Sequence, residues 1–145
     1  MNITIREAQL KDLFEISLKA KEAYIDYKVK FKFNPVYFYE QCEKLLKVGG
    51  KILLAEKEGK LVGALGFFIA NDFFHETKIA SELFWYSSDS KCGMILLKEF
   101  ENLAKSENCG MIKLSLIVSS KAEKLDLFYL RKGYTLLEKY YIKEV

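Results

Sequence analysis

The stretch Glu82-Leu83-Phe84-Trp85-Tyr86-Ser87-Ser88-Asp89-Ser90-Lys91-Cys92-Gly93-Met94-Ile95-Leu96-Leu97 decides the fold. Its aromatic and aliphatic start predicts a strand over Thr77 to Ser87. After a polar turn, Leu96, Phe100, Leu103 and Ala104 recur at helical spacing, so Lys91 to Asn108 is expected to be a helix that Gly110 stops. Met111 to Val118 then alternates as a strand. Ser119 or Ser120 is expected to cap a further helix to Lys132, which Gly133 terminates. A strand that runs straight into a helix N-terminus aims backbone amides outward, where they hold phosphate. Tyr129, four residues before Gly133, places a phenol one turn from the end of that second helix.

Working outward, Ile3 and Ile5 alternate with polar partners over Asn2 to Glu7, as in a half-buried strand. Leu13, Ile16, Ala20, Ala23 and Tyr27 define an amphipathic helix over Leu10 to Lys28. Asn34-Pro35 reads as an N-cap followed by proline at the first helical position, and Gly49-Gly50 ends that helix. Lys51 to Lys57 and Leu61 to Ala70 form a hairpin about Glu58-Gly59-Lys60. Tyr134 to Lys143 is read as a last strand. The order is β-α-α-β-β-β-α-β-α-β. Helices between strands make parallel pairs and the hairpin makes antiparallel ones, so the fold class is α/β with a mixed six- to seven-stranded sheet and helices on both faces.

The chain has 145 residues, half of them hydrophobic and 14% aromatic, which suits one domain over 1–145 with a real core. No apolar run approaches the ~18 residues of a membrane span. The N-terminus carries no signal-peptide pattern, so a cytoplasmic location is expected. Net charge is +3, from 23 basic and 20 acidic residues, too balanced to call for a nucleic-acid partner. Cys42, Cys92 and Cys109 show no CxxC spacing, and His75 is the one histidine, so neither a disulfide scaffold nor a metal site is expected.

In this order, Ile5-Arg6-Glu7-Ala8, Leu53-Leu54-Ala55-Glu56, Leu61-Val62-Gly63-Ala64, Leu96-Leu97-Lys98-Glu99-Phe100-Glu101 and Tyr129-Leu130-Arg131-Lys132-Gly133-Tyr134 resemble the GNAT acetyltransferases over nearly the whole chain. The resemblance implies an acetyl-CoA-dependent N-acetyltransferase working on an amine by direct attack. It implies that two parallel strands splay apart after a bulge and that pantetheine pairs in the gap. Backbone around Phe84, Trp85 and Tyr86 would meet the thioester, opposite a strand at Leu114 to Val118. Ser88, Lys91, Cys92, Gly93 and Met94 would bind the pyrophosphate. Tyr129 would protonate the departing thiolate, and Glu82 would take the amine proton, directly or through water. Glu56 is the weaker alternative base.

The chain departs from the family at the phosphate turn, Arg/Gln-x-x-Gly-x-Gly/Ala in its relatives. Aligned on Leu96-Leu97, Gly93 takes the last small position, Lys91 an earlier glycine and Ser88 the arginine, and the turn is a few residues short. A trimmed working loop and a lost one kept on a GNAT-fold binding or structural module are both open. Asp89 is an awkward neighbour for pyrophosphate but suits a helix cap. An asparagine often stands seven residues before the family's tyrosine; here Ala122 does. Cys92 sits at a helix N-terminus, where a thiol pKa falls. His75 lies in a loop that the resemblance places near the acceptor, and with it Asp72, Glu76 and Glu82 would form an acidic mouth. The other reading of His75 is a solvated loop histidine. The aromatic cluster Tyr24, Tyr27, Phe31, Phe33, Tyr37, Phe38 and Tyr39 is read first as core, with an apolar acceptor pocket or a homodimer face as its other readings. The resemblance leaves the acceptor open among a small amine, a peptide N-terminus, a protein lysine and an aminoacyl-tRNA, and a small-molecule or peptide amine is the one expected.

Overall fold

Ile3 and Ile5 do alternate, in β1 (Ile3–Glu7), which pairs antiparallel with β2 (Lys51–Lys57). β2 returns through a tight turn at Glu58 and Gly59, both at positive φ, into β3 (Lys60–Asn71). β4 (Lys78–Ser87) continues the antiparallel run, and β5 (Cys109–Lys113) joins β4 in parallel, giving the order β1-β2-β3-β4-β5. A 3-10 turn (Leu10–Asp12) leads into α1 (Leu13–Ala23); α2 is Pro35–Lys47, α3 Ser90–Ser106 and α4 Ala122–Arg131. The computed structural model describes residues 2–24, 29–118 and 121–145. The chain divides into two compact units, Met1–Tyr24 with Phe33–Leu114, and Ile25–Lys32 with Ser115–Val145.

In the first unit the hydrophobic pattern decides which side each helix covers. Leu13 and Ile16 of α1 and Cys42 of α2 pack on Ile52, Leu54 and Ala64 of the sheet. The opposite face carries α3, whose Phe100 ring lies 4.7 Å from that of Phe67. Gly63 has to be glycine there, because a Cβ would come within 2.9 Å of a Leu96 methyl and of the Tyr86 carbonyl. Asn34 caps α2 as expected, accepting from the amides of Val36 at 2.9 Å and Tyr37 at 3.3 Å. Arg6 ties the sheet edge to the 3-10 turn: its guanidinium donates to both Asp12 oxygens, at 2.9 and 2.8 Å, and to Glu56 at 2.8 Å. That hydrogen bond holds the Asp12 carboxyl down at about 2.

Several expectations need correction. The helix expected over Leu10 to Lys28 starts as a 3-10 turn and α1 ends at Ala23; Tyr27 lies outside the described residues. Gly110 does not stop α3. Asn108 makes that turn at φ +60, and Gly110 sits inside β5, where its amide donates to Thr77 Oγ1 at 3.1 Å and a Cβ would clash with that hydroxyl. β5 ends at Lys113 instead of Val118. Ser119 and Ser120 lie outside the described residues, and the N-cap position of α4 is Lys121, with no side-chain cap. Residues 134–145 form no strand, so among the described residues the sheet has five strands where six to seven were expected. The sequence there can extend, but a strand exists only beside a partner ladder, and Leu137, Tyr140 and Tyr141 stay almost fully exposed.

Candidate functional site

β4 runs almost directly into α3. Ser88 donates its amide to the Val62 carbonyl at 2.8 Å, and Asp89 is the N-cap, its carboxylate accepting from the Cys92 amide at 2.7 Å. The Ser87 hydroxyl closes on the Asp89 carbonyl at 2.8 Å. So short a turn brings the first turn of α3 hard against the strand end, and a Cβ on Gly93 would sit 2.8 Å from the Ser87 hydroxyl. Lys91 and Met94 point outward. The cap makes Asp89 the decisive residue of the turn. One of the amides that an anion would use already serves a carboxylate of the chain itself.

The expected lowering of the Cys92 thiol is reversed. The side chain is fully buried, and burial, together with the Asp89 charge, pushes it up to about 11. The helix-end field acts on a group that faces outward. This sulfur faces the sheet, 3.7 Å from the Val62 carbonyl.

Upstream, the β3–β4 register slips between Gly66 and Phe67: Gly66 pairs with Phe84 and Phe67 with Glu82, leaving Leu83 as the extra residue of a bulge. Directly opposed residues share a face. Glu82, opposite Phe67, therefore lies on the α3 side. Phe84 and Tyr86, opposite Gly66 and Ala64, lie on the α1–α2 side, where both pack on that core. Trp85 lies on the α3 side, within 3.6 Å of where a Gly93 Cβ would be. Tyr86 is anchored, its hydroxyl donating to the Ile16 carbonyl at 2.9 Å, and burial raises its pKa. The parallel ladder with β5 ends at Ser81–Lys113, one residue before Glu82, while β4 continues to Ser87. The expected opposing strand at Leu114 to Val118 is absent. A bulge turns its strand, and the parallel partner does not follow past it.

Beside the bulge a groove of about 460 Å³ opens between α2 and β4, with Phe38, Leu45, Val48, Leu83 and Phe84 along it and Gln41 and Lys44 also lining it. Phe38 meets Phe84 edge-on at 5.0 Å and Phe33 at 5.5 Å, and Phe33 stacks on Tyr24 at 4.9 Å. Part of the aromatic cluster is thus core and groove wall, whereas Phe31 and Tyr37 are exposed.

Tyr129 belongs to the second unit. It is buried and donates its hydroxyl to the Ser115 carbonyl at 3.1 Å, beside the rings of Phe128 and Tyr134. Gly133, at φ +90, ends α4 as expected. His75 stands in the β3–β4 loop, a strand length (about 30 Å by the usual rise) from the start of α3. Asp72 is occupied in holding that loop, accepting from the amides of Phe74 and His75 at 3.1 and 2.9 Å and lying 2.7 Å from His75 Nδ1. The hydrogen bond to His75 lowers the Asp72 pKa. The acidic mouth does not assemble, because Glu82 is four strand steps beyond Lys78, about 13 Å along β4.

Within the first unit, then, Phe84, Trp85, Tyr86, Ser88, Lys91, Cys92, Gly93 and Met94 follow Glu82 along a single strand–turn–helix. Sequence reasoning offered an apolar pocket walled by the cluster that contains Phe38 as its second reading, and missed Leu83 and the bulge beside it. Their signal is the adjacency of Leu83 and Phe84, which reads equally well as a strand buried on both faces. Among the described residues no group of side chains is arranged to hold a metal, and no helix is long and apolar enough to cross a membrane.

No family model matches the sequence, and no curated protein sequence does. Solved structures do. A transcriptional regulator from Bacillus halodurans C-125 aligns at TM-score 0.78 and 17% identity, over 99% of this chain and 100% of that one. A putative acetyl transferase from Pyrococcus furiosus aligns at 0.75 and 23%, over 99% and 100%. A GNAT family acetyltransferase from Staphylococcus aureus subsp. aureus USA300_TCH1516 aligns at 0.72 and 19%, over all of both chains. With its mixed sheet, its bulged fourth strand and the helix that follows directly, the chain has the GNAT fold.

Proposed function

We propose that the chain is a cytoplasmic, single-domain N-acetyltransferase that moves acetyl from acetyl-CoA to a small-molecule or peptide amine by direct attack. The observation that carries this reading is β4 itself, bulged at Leu83, released from its parallel partner after Ser81 and leading into α3. Acetyl-CoA supplies an activated thioester. Backbone of Phe84, Trp85 and Tyr86 would line the pantetheine, and Ser88, Lys91, Met94, the Cys92 amide and the close approach that Gly93 allows would serve the diphosphate; the Gly93 amide itself donates to the Asp89 carbonyl at 3.1 Å. Glu82 would receive the amine proton through water at the strand edge, and Tyr129 would return one to the thiolate.

The strand fits the cosubstrate better than the turn does. Diphosphate has to share or displace the Asp89 carboxylate at the Cys92 amide, and Lys91 is the one cation between Ser87 and Met94. That cap favours a second reading, a GNAT-fold module without acetyl-CoA chemistry. Calorimetric titration with acetyl-CoA and with dephospho-CoA separates the two. Micromolar binding that weakens at least fivefold in Lys91→Glu, with turnover of amines that falls in Tyr129→Phe, supports the enzyme. Absence of binding at millimolar acetyl-CoA supports the module.

A further inference from the structure

We infer that the groove between α2 and the β4 bulge selects the acceptor, and that the acceptor is a monoamine on an apolar aromatic or branched aliphatic body. The inference rests on the acetyltransferase reading and adds the substrate class to it.

The bulge is what builds the groove. In a regular strand Leu83 and Phe84 would point to opposite faces. With Leu83 as the extra residue, both line the same hollow, facing Phe38, Leu45 and Val48. Leu83 and Val48 are large apolar side chains left 50% and 82% exposed, so a ligand here removes apolar surface that folding leaves wet. The volume of about 460 Å³ lies within the ~300–1,000 Å³ usual for small-molecule sites.

The lining also excludes. Among the described residues that line the groove there is no aspartate or glutamate, and Lys44 carries the one charge. A polyamine or an amino sugar with several ammonium groups would meet a like charge and find no carboxylate. A monoamine placed with its body on Leu83 and Phe84 leaves one nitrogen to reach the β4 edge just past Ser81, where the parallel ladder has ended. Gln41 and Lys44, on the same lining, suit a polar or anionic substituent on that body.

The test uses the intact chain with two separate readouts. Methyl NMR of CoA-free protein is titrated with 2-phenylethylamine, isoamylamine, spermidine and kanamycin, and acetyl transfer from acetyl-CoA to the same amines is followed in parallel. The expected result is saturable shifts of the Leu45 and Leu83 methyls with the two apolar amines. Their kcat/KM should exceed those of spermidine and kanamycin at least tenfold. Leu83→Gln and the surface variant Val48→Gln, which add polarity without charge, should each reduce apolar-amine binding at least fivefold, with circular dichroism unchanged, and Leu83→Met should retain it. Preference for spermidine or kanamycin, or no methyl shift with either apolar amine, overturns the inference. Absence of acetyl-CoA binding overturns the transferase reading alone, because the methyl titration needs no cosubstrate.

Discussion

At the scale of single residues, Asp89 and the cysteines make the sharpest predictions. Asp89→Asn keeps a good N-cap and removes the charge, so stability should stay within about 0.5 kcal/mol of the parent. Acetyl-CoA affinity should rise roughly threefold to tenfold, the worth of about 1 kcal/mol for one like charge near a surface site. Asp89→Ala removes the cap and should cost about 1 kcal/mol in denaturant melts. Thiol labelling at pH 8 gives a second check. Cys42 and Cys92 are buried, and burial pushes their thiols up to about 12 and about 11. Cys109 is only half-buried and should label first, the other two only as the protein unfolds. The Asp89 cap was legible in the sequence because N-caps are local chemistry. The direction of the Cys92 shift was not, because it depends on which way one side chain turns.

At the scale of elements, packing across the sheet sets the tolerances. Gly63→Ala should destabilise by about 1–3 kcal/mol, because the added methyl meets the Tyr86 backbone as well as Leu96 and the backbone cannot step aside. The Arg6–Asp12 pair that joins β1 to the 3-10 turn has a pH signature. Asp12 titrates at about 2 when folded, below its ordinary value near 4. Its contribution is therefore present above pH ~4 and fades as pH falls toward 2. Asp12→Asn should flatten that acid limb of the stability curve measured by urea melts. Elements with their own periodicity, such as α2, β2 and β3, were readable because each carries its period and its stop signal. β5 and residues 134–145 were misjudged because parallel and terminal strands depend on a neighbour that no local pattern records.

At the scale of the whole molecule, every buried hydrophobic among the described residues except Tyr129 lies in the first unit. Hydrogen exchange should follow that distribution: amides of β2 and β3 slowest, those of residues 136–145 near unprotected rates. The element order as far as α4 was legible from spacing, and the GNAT fold followed from the family resemblance that this order carries. The bulge that opens the groove was not legible, because a single inserted position leaves no mark on the periodicity around it. That position has a wider consequence. Leu83 is a spare count in its strand: the pairing passes over it, and Trp85 and Ser87 look toward α3 and Tyr86 toward α1 in step with β3. Truncating the half-exposed side chain to alanine should cost about 1 kcal/mol. Deleting the residue would make Glu82 and Phe84 neighbours that still face opposite ways, so Phe84, Trp85 and Tyr86 would keep their pairings with Gly66, Leu65 and Ala64; the bulge and its wall of the groove are what would be lost. For this chain, then, a missing codon at Leu83 would leave the sheet in step and take away the hollow beside it, so the position is spare for folding and is kept for what it opens.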